Sequence, residues 1–211
     1  MKRVIAVDGP AGAGKSTVSK IVAARLGYTY IDTGAMYRAV ALKVLQSGEP
    51  LSEQLVSNVD IRLDASARVF LDGREVTKEI RTPEVSRGAS DVATVGYVRK
   101  KLTELQREMA TQGKVVMDGR DIGTQVLPNA DLKIFLTASV EERARRRLAE
   151  LNAKGLAADF AQVAKEISLR DKQDSEREIA PLAQAEDAIL LDSTALTIDE
   201  VVTEILRLAE A

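Results

Sequence analysis

A glycine-rich segment near the amino terminus constrains the fold more than any other feature. Its sequence, Gly9-Pro-Ala-Gly-Ala-Gly-Lys-Ser16, matches the pattern G-x-x-x-x-G-K-[S/T]. The apolar run Val4–Val7 precedes it, and a helical pattern from about Lys15 to Leu26 follows it and stops at Gly27. A strand, a glycine-rich loop and a helix in this order are typical of a phosphate-binding loop in a parallel α/β sheet.

The residue types in this loop suit a polyphosphate. Glycines let the backbone wrap closely around a pyrophosphate, whose charge then meets N–H groups at a helix amino terminus. Lys15 would bridge the β- and γ-phosphates, and Ser16 would offer a hydroxyl to Mg²⁺. A glycine-rich turn with a chance lysine is the alternative. We predict an ATP site made of Gly9, Pro10, Ala11, Gly12, Ala13, Gly14, Lys15, Ser16 and Thr17.

The absence of two residue types narrows the chemistry. The chain has no cysteine and no histidine, which excludes disulfides, cysteine-based zinc sites and both Ser-His-Asp and Cys-His catalysis. Carboxylates, lysine, arginine, hydroxyls, backbone amides and an oxygen-bound metal remain. Phosphoryl transfer suits these groups best, because it depends on positioning and charge neutralisation.

Size and charge limit the class of protein further. A chain of 211 residues with 45% hydrophobic residues is expected to form one folding unit with a sizeable core. Thirty basic against thirty-two acidic residues leave no overall positive field, so we expect no nucleic-acid partner. Apolar runs are too short for a membrane span, and the first residues lack the pattern of a signal peptide. We therefore expect a cytoplasmic protein without a membrane partner.

Strand-like and helical patterns alternate along most of the chain and predict an α/β fold. Asp72-Gly73 is a strong hairpin signal within a small β-rich insert, which we place at about residues 55–88. Thr197 and Glu200 form a capping-box pattern at the start of the last helix. Other predicted elements are strands at 28–31, 114–117, 132–136 and 188–191, and helices at 34–45 and about 95–112.

Polar and charged residues follow two of the predicted strands. Asp118 ends the run Val115–Met117, the form of a Walker B segment that holds Mg²⁺ through water, although such an aspartate can also cap a loop. Asp118-Gly-Arg120-Asp121 therefore lies where open α/β sheets bind ligands, or forms a local salt-bridged turn. Thr33 and Arg38 follow the second strand and are placed to hold an anion; an exposed helical Arg38 is the alternative.

Two arginine-rich segments lie further along the chain. Residues 142–147 contain four arginines, which form either a mobile basic lid or a solvated surface paired with neighbouring glutamates. Arg170, Asp174 and Arg177 are spaced for one helix face, as a nucleoside-binding surface or as a surface ion-pair ladder.

Taken together, these segments resemble one family, the bacterial cytidylate kinases, which are nucleoside monophosphate kinases of the P-loop class. The resemblance covers essentially the whole chain, and its most specific motifs are D-T-G-A-M-Y-R and D-G-R-D-I-G-T. The other matching motifs are I-A-V-D-G-P-A-G-A-G-K-S-T, E-I-R-T-P-E-V-S, K-I-F-L-T-A-S, E-E-R-A-R-R-R and L-D-S-T. The resemblance implies a single domain over 1–211 with a doubly wound, parallel, five-stranded sheet. It also implies a three-stranded monophosphate-binding insert and a short helical lid at about 140–177.

The resemblance also implies roles for individual residues. Lys15, Arg120, Arg146 and Arg147 would be catalytic, with Arg143 as a further candidate, and Ser16 and Asp118 would serve the metal. Arg38 and Arg120, with Tyr37 and Arg81, would bind the acceptor phosphate. The cytosine would face Thr33, Ser90, Arg99, Asp121 and Arg177, and the ribose would face Arg170 and Asp174. Some relatives have serine at position 33, and Arg145 is left out because relatives differ there.

The activity implied by the resemblance is Mg²⁺-dependent transfer of the ATP γ-phosphoryl group to CMP or dCMP by a monomer. Two alternatives remain at this point. Another small-molecule P-loop kinase, acting for example on shikimate or dephospho-coenzyme A, would share only the first motif. A nucleotide-binding switch or scaffold would lack the arginines of the acceptor side.

Overall fold

The computed structural model describes residues 3–64, 66–153 and 155–211. Within these ranges the chain forms eight strands and eight α-helices, with a 3₁₀ turn at Glu79–Arg81 and a π-helical turn at Ile122–Val126. The strands are β1 Val4–Asp8, β2 Thr29–Asp32, β3 Ile61–Leu63, β4 Val69–Leu71, β5 Arg74–Glu75, β6 Val115–Asp118, β7 Leu132–Thr137 and β8 Ile189–Asp192. The helices are α1 Lys15–Leu26, α2 Thr33–Ser47, α3 Glu53–Ser57, α4 Pro83–Val92, α5 Gly96–Ala110, α6 Val140–Ala153, α7 Phe160–Glu176 and α8 Ile198–Glu210.

Five strands form the central sheet, in the order β2-β6-β1-β7-β8, and every pair is parallel. Alternate residues of β1 face opposite sides, as the two-residue period of a strand requires. Ile5 and Val7 pack with α1 and α8 on one side, whereas Ala6 packs with the end of α5 and the turn at 122–126 on the other. This arrangement confirms the predicted parallel five-stranded α/β fold.

The predicted hairpin at Asp72-Gly73 joins β4 to β5 in a separate three-stranded antiparallel sheet, ordered β3-β4-β5. Both turn residues have left-handed backbone angles, with φ of 50° and 82°, which is the requirement of a two-residue hairpin turn. The expected insert bounds, 55 and 88, fall inside α3 and α4. One hydrophobic core joins this sheet to α2, α4 and α5, so no break in the packing marks the insert.

Helices α6 and α7 pack against each other around a small apolar cluster of Ala144, Val163 and Ile167. Helix α7 ends at Glu176, and Arg177 follows with an extended backbone. The expectation that Arg177 shares a helix face with Arg170 and Asp174 is therefore wrong, because the helix stops one residue before it. In the described part of the chain, no helix combines the length and hydropathy needed to cross a membrane.

The carboxyl ends of three neighbouring strands lie in one row at one edge of the sheet. Asp8 ends β1, Asp32 ends β2 and Asp118 ends β6, and Asp118 is in register with both Asp32 and Val7. All three aspartates are buried. Since open α/β sheets bind ligands at this edge, it positions the candidate site.

Candidate active site

The phosphate loop connects β1 to α1 and is held by its own backbone. The Lys15 Nζ donates to the carbonyls of Gly9 and Pro10 at 2.7 and 2.8 Å. Gly9 has a φ of 144°, and a Cβ there would lie 1.9 Å from the carbonyl oxygen of Leu136, so only glycine fits. Burial, reinforced by the charge of Arg120, lowers the pKa of Lys15 well below its ordinary value. An anion at this lysine would favour its charged form.

Asp118 lies beside the loop, and its carboxylate accepts two side-chain hydrogen bonds. Ser16 Oγ donates to Oδ2 at 2.9 Å, and the Tyr30 hydroxyl donates to Oδ1 at 2.8 Å. Burial and the nearby charge of Asp32 raise the pKa of Asp118 to about 6. A hydroxyl and a carboxylate oxygen at this separation are hard oxygen donors of the kind that Mg²⁺ prefers.

Two arginines from different parts of the chain converge on Asp32. Arg38 from α2 lies 3.0 Å from Oδ2, and Arg81 from the 3₁₀ turn lies 3.2 Å from the same oxygen. Oδ1 accepts the amide of Ala35 at 2.8 Å and so caps α2. The Nε of Arg38 is buried and has no hydrogen-bond partner among the described residues. The predicted acceptor-phosphate residues 38 and 81 thus lie together.

Asp121 lies between two buried guanidinium groups. Arg99 Nη2 contacts one carboxylate oxygen, and Arg177 Nη2 lies 3.3 Å from the other. The Tyr37 ring lies beneath Arg99, with its centroid 5.6 Å from Cζ, and burial raises the pKa of Tyr37 to about 12. Four predicted acceptor-side residues therefore form one polar cluster, with donors on two sides of a carboxylate.

A further ion pair links Arg120 to α7. Arg120 Nε donates to Asp174 Oδ2 at 2.7 Å, and both side chains are largely buried. Burial, followed by repulsion from Arg120, lowers the pKa of Arg170 to about 10. The Nε of Arg170 is buried without a hydrogen-bond partner among the described residues. The predicted alternative of a solvated surface ladder for Arg170 and Asp174 is wrong, because Asp174 is buried against Arg120.

The arginines of α6 differ in their surroundings. Arg143 is buried, donates to the carbonyls of Ala11 and Ala138 at 3.0 and 2.8 Å, and pairs with Asp171 at 2.7 Å. It therefore joins the phosphate loop to α7.

Arg146 lies next to the loop and donates to the hydroxyl and the carbonyl of Ser193 at 3.2 and 2.7 Å. Arg147 pairs with Glu150 at 2.8 Å, and Arg145 pairs with Glu141 and Glu142 on the exposed face. The lid arginines are thus held by protein acceptors in this structure.

The remaining predicted residues lie around these groups. Thr33 is buried and donates its hydroxyl to the Asp118 carbonyl at 2.7 Å. Thr17 is exposed on the first turn of α1, and Ser90 is half-buried on α4. Gly119 separates Asp118 from Arg120 and has no room for a side chain, since a Cβ would lie 2.7 Å from the Thr33 hydroxyl. This close packing explains the glycine in D-G-R-D.

Comparisons with known proteins identify the family of this chain. The family model described as cytidylate kinase matches residues 5–211. A cytidylate kinase of Caldicellulosiruptor bescii is 54% identical, covering 99% of this chain and 96% of its own. One from an Exiguobacterium species is 56% identical, covering 98% and 96%. The chain belongs to the cytidylate kinase family.

The fold of this chain is similar to solved structures of proteins described differently. A shikimate kinase from Bacteroides thetaiotaomicron covers all of both chains with a TM-score of 0.52 and 15% identity. An uncharacterized protein from Eubacterium ventriosum gives a TM-score of 0.56 at 11% identity, covering 100% of this chain and 99% of its own. At such identities the likeness shows a shared α/β fold, and the family assignment rests on the sequence relatives.

Sequence reasoning missed several residues of this site. Asp8 and Asp32 were not among the predicted ligands, although each directly follows a predicted strand, as Asp118 does. Their common position at the carboxyl end of a strand could have indicated that they belong to the site. Asp171 and Ser193 hold Arg143 and Arg146. Ser193 lies in the L-D-S-T motif, but the sequence does not indicate that it pairs with Arg146 or that Asp171 pairs with Arg143.

Proposed function

We propose that this member of the cytidylate kinase family transfers the γ-phosphoryl group of ATP to CMP or dCMP, giving ADP and CDP or dCDP. The observation that supports this most strongly is that the buried guanidinium Nε atoms of Arg38 and Arg170 have no hydrogen-bond partner among the described residues. Unsatisfied buried donors are costly, and a nucleotide phosphate would supply the acceptors. Arg38 pairs with Asp32 at the carboxyl end of β2. Burial lowers the pKa of Arg170, which lies close enough to Arg120 and Arg38 for their charges to lower it further.

The reaction needs alignment more than proton transfer. An acceptor phosphate oxygen, already anionic near neutral pH, attacks the γ-phosphorus in line with the leaving β–γ bridging oxygen. The bond to that oxygen breaks, and ADP carries the electron pair away. Lys15, Arg120, Arg146 and Arg147 would neutralise the charge that spreads over the transferred group.

The donor set beside the loop fits Mg²⁺. Ser16 and Asp118 would hold it, Asp118 through water, and when bound it neutralises phosphate charge. In the described residues no three acidic side chains gather as a metal cluster, and nucleotide-bound Mg²⁺ ordinarily keeps water and phosphate ligands.

Base recognition would use the Asp121 cluster. Asp121 accepts hydrogen bonds only, and the cytosine N4 amino group donates; Arg99 and Arg177 donate only, and cytosine O2 and N3 accept. Uracil presents a donor at N3, which would oppose a guanidinium. Leaving such donors unpaired costs about 1–3 kcal/mol each, so CMP should exceed UMP in kcat/KM by about tenfold to a hundredfold.

An ADP-release assay with ATP and Mg²⁺ tests the proposal directly. Acceptors are CMP, dCMP, UMP, AMP, GMP and shikimate. We expect rapid ADP release with CMP and dCMP and slower release with UMP. Equal rates with and without CMP would refute the kinase proposal, and a preference for shikimate would assign another acceptor. We further propose a monomer that acts in the cytoplasm, and gel filtration with light scattering measures the mass.

A further inference from the structure

Asp8 is a buried acid for which the reaction above requires no role. Its two carboxylate oxygens accept different backbone amides, that of Ile122 at 2.8 Å and that of Gly123 at 2.7 Å. Among the described residues, no cationic group lies within ion-pair distance of it. The two amides are therefore its principal partners.

Burial of this carboxylate without a direct ion pair is unfavourable. Only 5% of the residue is exposed, and burial raises the pKa of Asp8 to about 6 despite the hydrogen bonds from the two amides. A neutral side chain would avoid that burial penalty. An apolar side chain would, however, leave both amides unpaired, so the two contacts are what the carboxylate supplies at this position.

The two amides belong to a segment that we call the acceptor loop, residues 118–123. The amide of Gly119 donates to the carbonyl of Val7 at 3.0 Å, which anchors the loop before Arg120. Asp8 anchors it again directly after Asp121. The last two residues of β1 therefore hold the backbone on both sides of the Arg120–Asp121 pair.

We propose, resting on the function proposed above, that Asp8 is a positioning residue for the monophosphate acceptor. It holds the acceptor loop so that Arg120 and Asp121 keep their places toward phosphate and base. Lys15 has separate anchors, the carbonyls of Gly9 and Pro10. Loss of the Asp8 contacts should therefore impair acceptor recognition much more than ATP binding.

The variant Asp8→Asn tests this at unchanged size. Its amide offers one acceptor and turns an N–H group toward a backbone N–H. We expect the KM for CMP to rise about tenfold or more, as for loss of a hydrogen bond to a charged group. The KM for ATP should change by less than about threefold, and the CMP-over-UMP preference should fall.

Asp131→Asn is the matched control. Oδ2 of Asp131 also accepts two backbone amides, those of Arg3 and Val4 at 2.9 Å each, but at the opposite end of β1. This variant can lower the melting temperature but should leave both KM values and the base preference near those of the unmodified protein.

Three results for Asp8→Asn would overturn the proposal: equal rises in both KM values, no rise in the KM for CMP, or an unchanged preference for CMP over UMP. Absence of CMP-dependent ADP release by the unmodified protein would instead refute the proposed function.

Gly123→Ala disturbs the same contact if Asp8→Asn does not fold. A Cβ at Gly123 would touch Asp8 Oδ2 at 3.4 Å and crowd Lys133 Cδ at 3.1 Å, so either the Lys133 side chain or the segment that donates to Asp8 has to shift. The same KM readouts and the same contrary outcomes apply. Gly88→Ala, where a Cβ would lie 3.3 Å from Ala41 Cβ on α2, is its control for equally close packing elsewhere.

Discussion

Replacing Asp118 by asparagine should stabilise the ligand-free protein near neutral pH and impair its activity. The pKa of Asp118 rises from 3.8 to about 6 on folding, chiefly through burial. A group whose pKa is higher in the folded state stabilises the fold when protonated, and this stability is lost as pH rises through about 6. At about 1.4 kcal/mol per pKa unit, the ionised carboxylate costs about 3 kcal/mol at pH 7.5.

The neutral amide of Asp118→Asn avoids this cost. Its oxygen can still accept from Tyr30, and its amino group can donate to Ser16 once that hydroxyl turns. The gain in free energy of unfolding should therefore be up to about 3 kcal/mol at pH 7.5. It should shrink to about half at pH 5 and to below about 1 kcal/mol at pH 4, where the folded carboxyl is almost fully protonated and the unfolded carboxyl only about half ionised.

Urea denaturation followed by circular dichroism at these three pH values measures the effect. Glu49→Gln, which neutralises an exposed carboxylate, controls for the change in net charge. Kinase activity of Asp118→Asn should fall by about a hundredfold, the scale of one transition-state charge contact. A variant that is less stable at pH 7.5, or a gain that is the same at pH 4, would refute the reasoning.

Three further predictions concern the loop and the base cluster. Lys15→Ala should keep a normal circular dichroism spectrum but lose at least about a hundredfold in kcat, because its ammonium meets developing charge; near-normal turnover would mean that the loop is not the donor site. Arg177→Met should reduce kcat/KM for CMP more than for UMP, because the lost donor opposes uracil; equal losses would argue against a contact with the base. Gly9→Ala should lower stability by at least about 1–3 kcal/mol, since its Cβ would overlap the Leu136 carbonyl; a melting temperature near that of the unmodified protein would contradict the loop geometry.

Local chemistry made much of the fold predictable from the sequence. The strand, loop and helix around Gly9–Ser16, the hairpin at Asp72-Gly73 and the capping box at Thr197 each depend on residues that are neighbours in the chain. Hydrophobic periodicity likewise predicted the parallel strands. Strand order and the insert limits could not be derived in this way, because they depend on packing between distant segments.

The candidate site was likewise predictable only in part from the sequence. Residue types and the family resemblance suggested Arg81, Arg120 and Arg177, and their roles toward CMP stay predictions. Their partners follow only from the tertiary structure, at separations of 49, 54 and 56 positions. Charge interactions reach any group that the fold brings within a few ångströms, and spacing along the chain does not encode that distance. For the same reason Asp8 gained a proposed role only once the fold brought the acceptor loop against it.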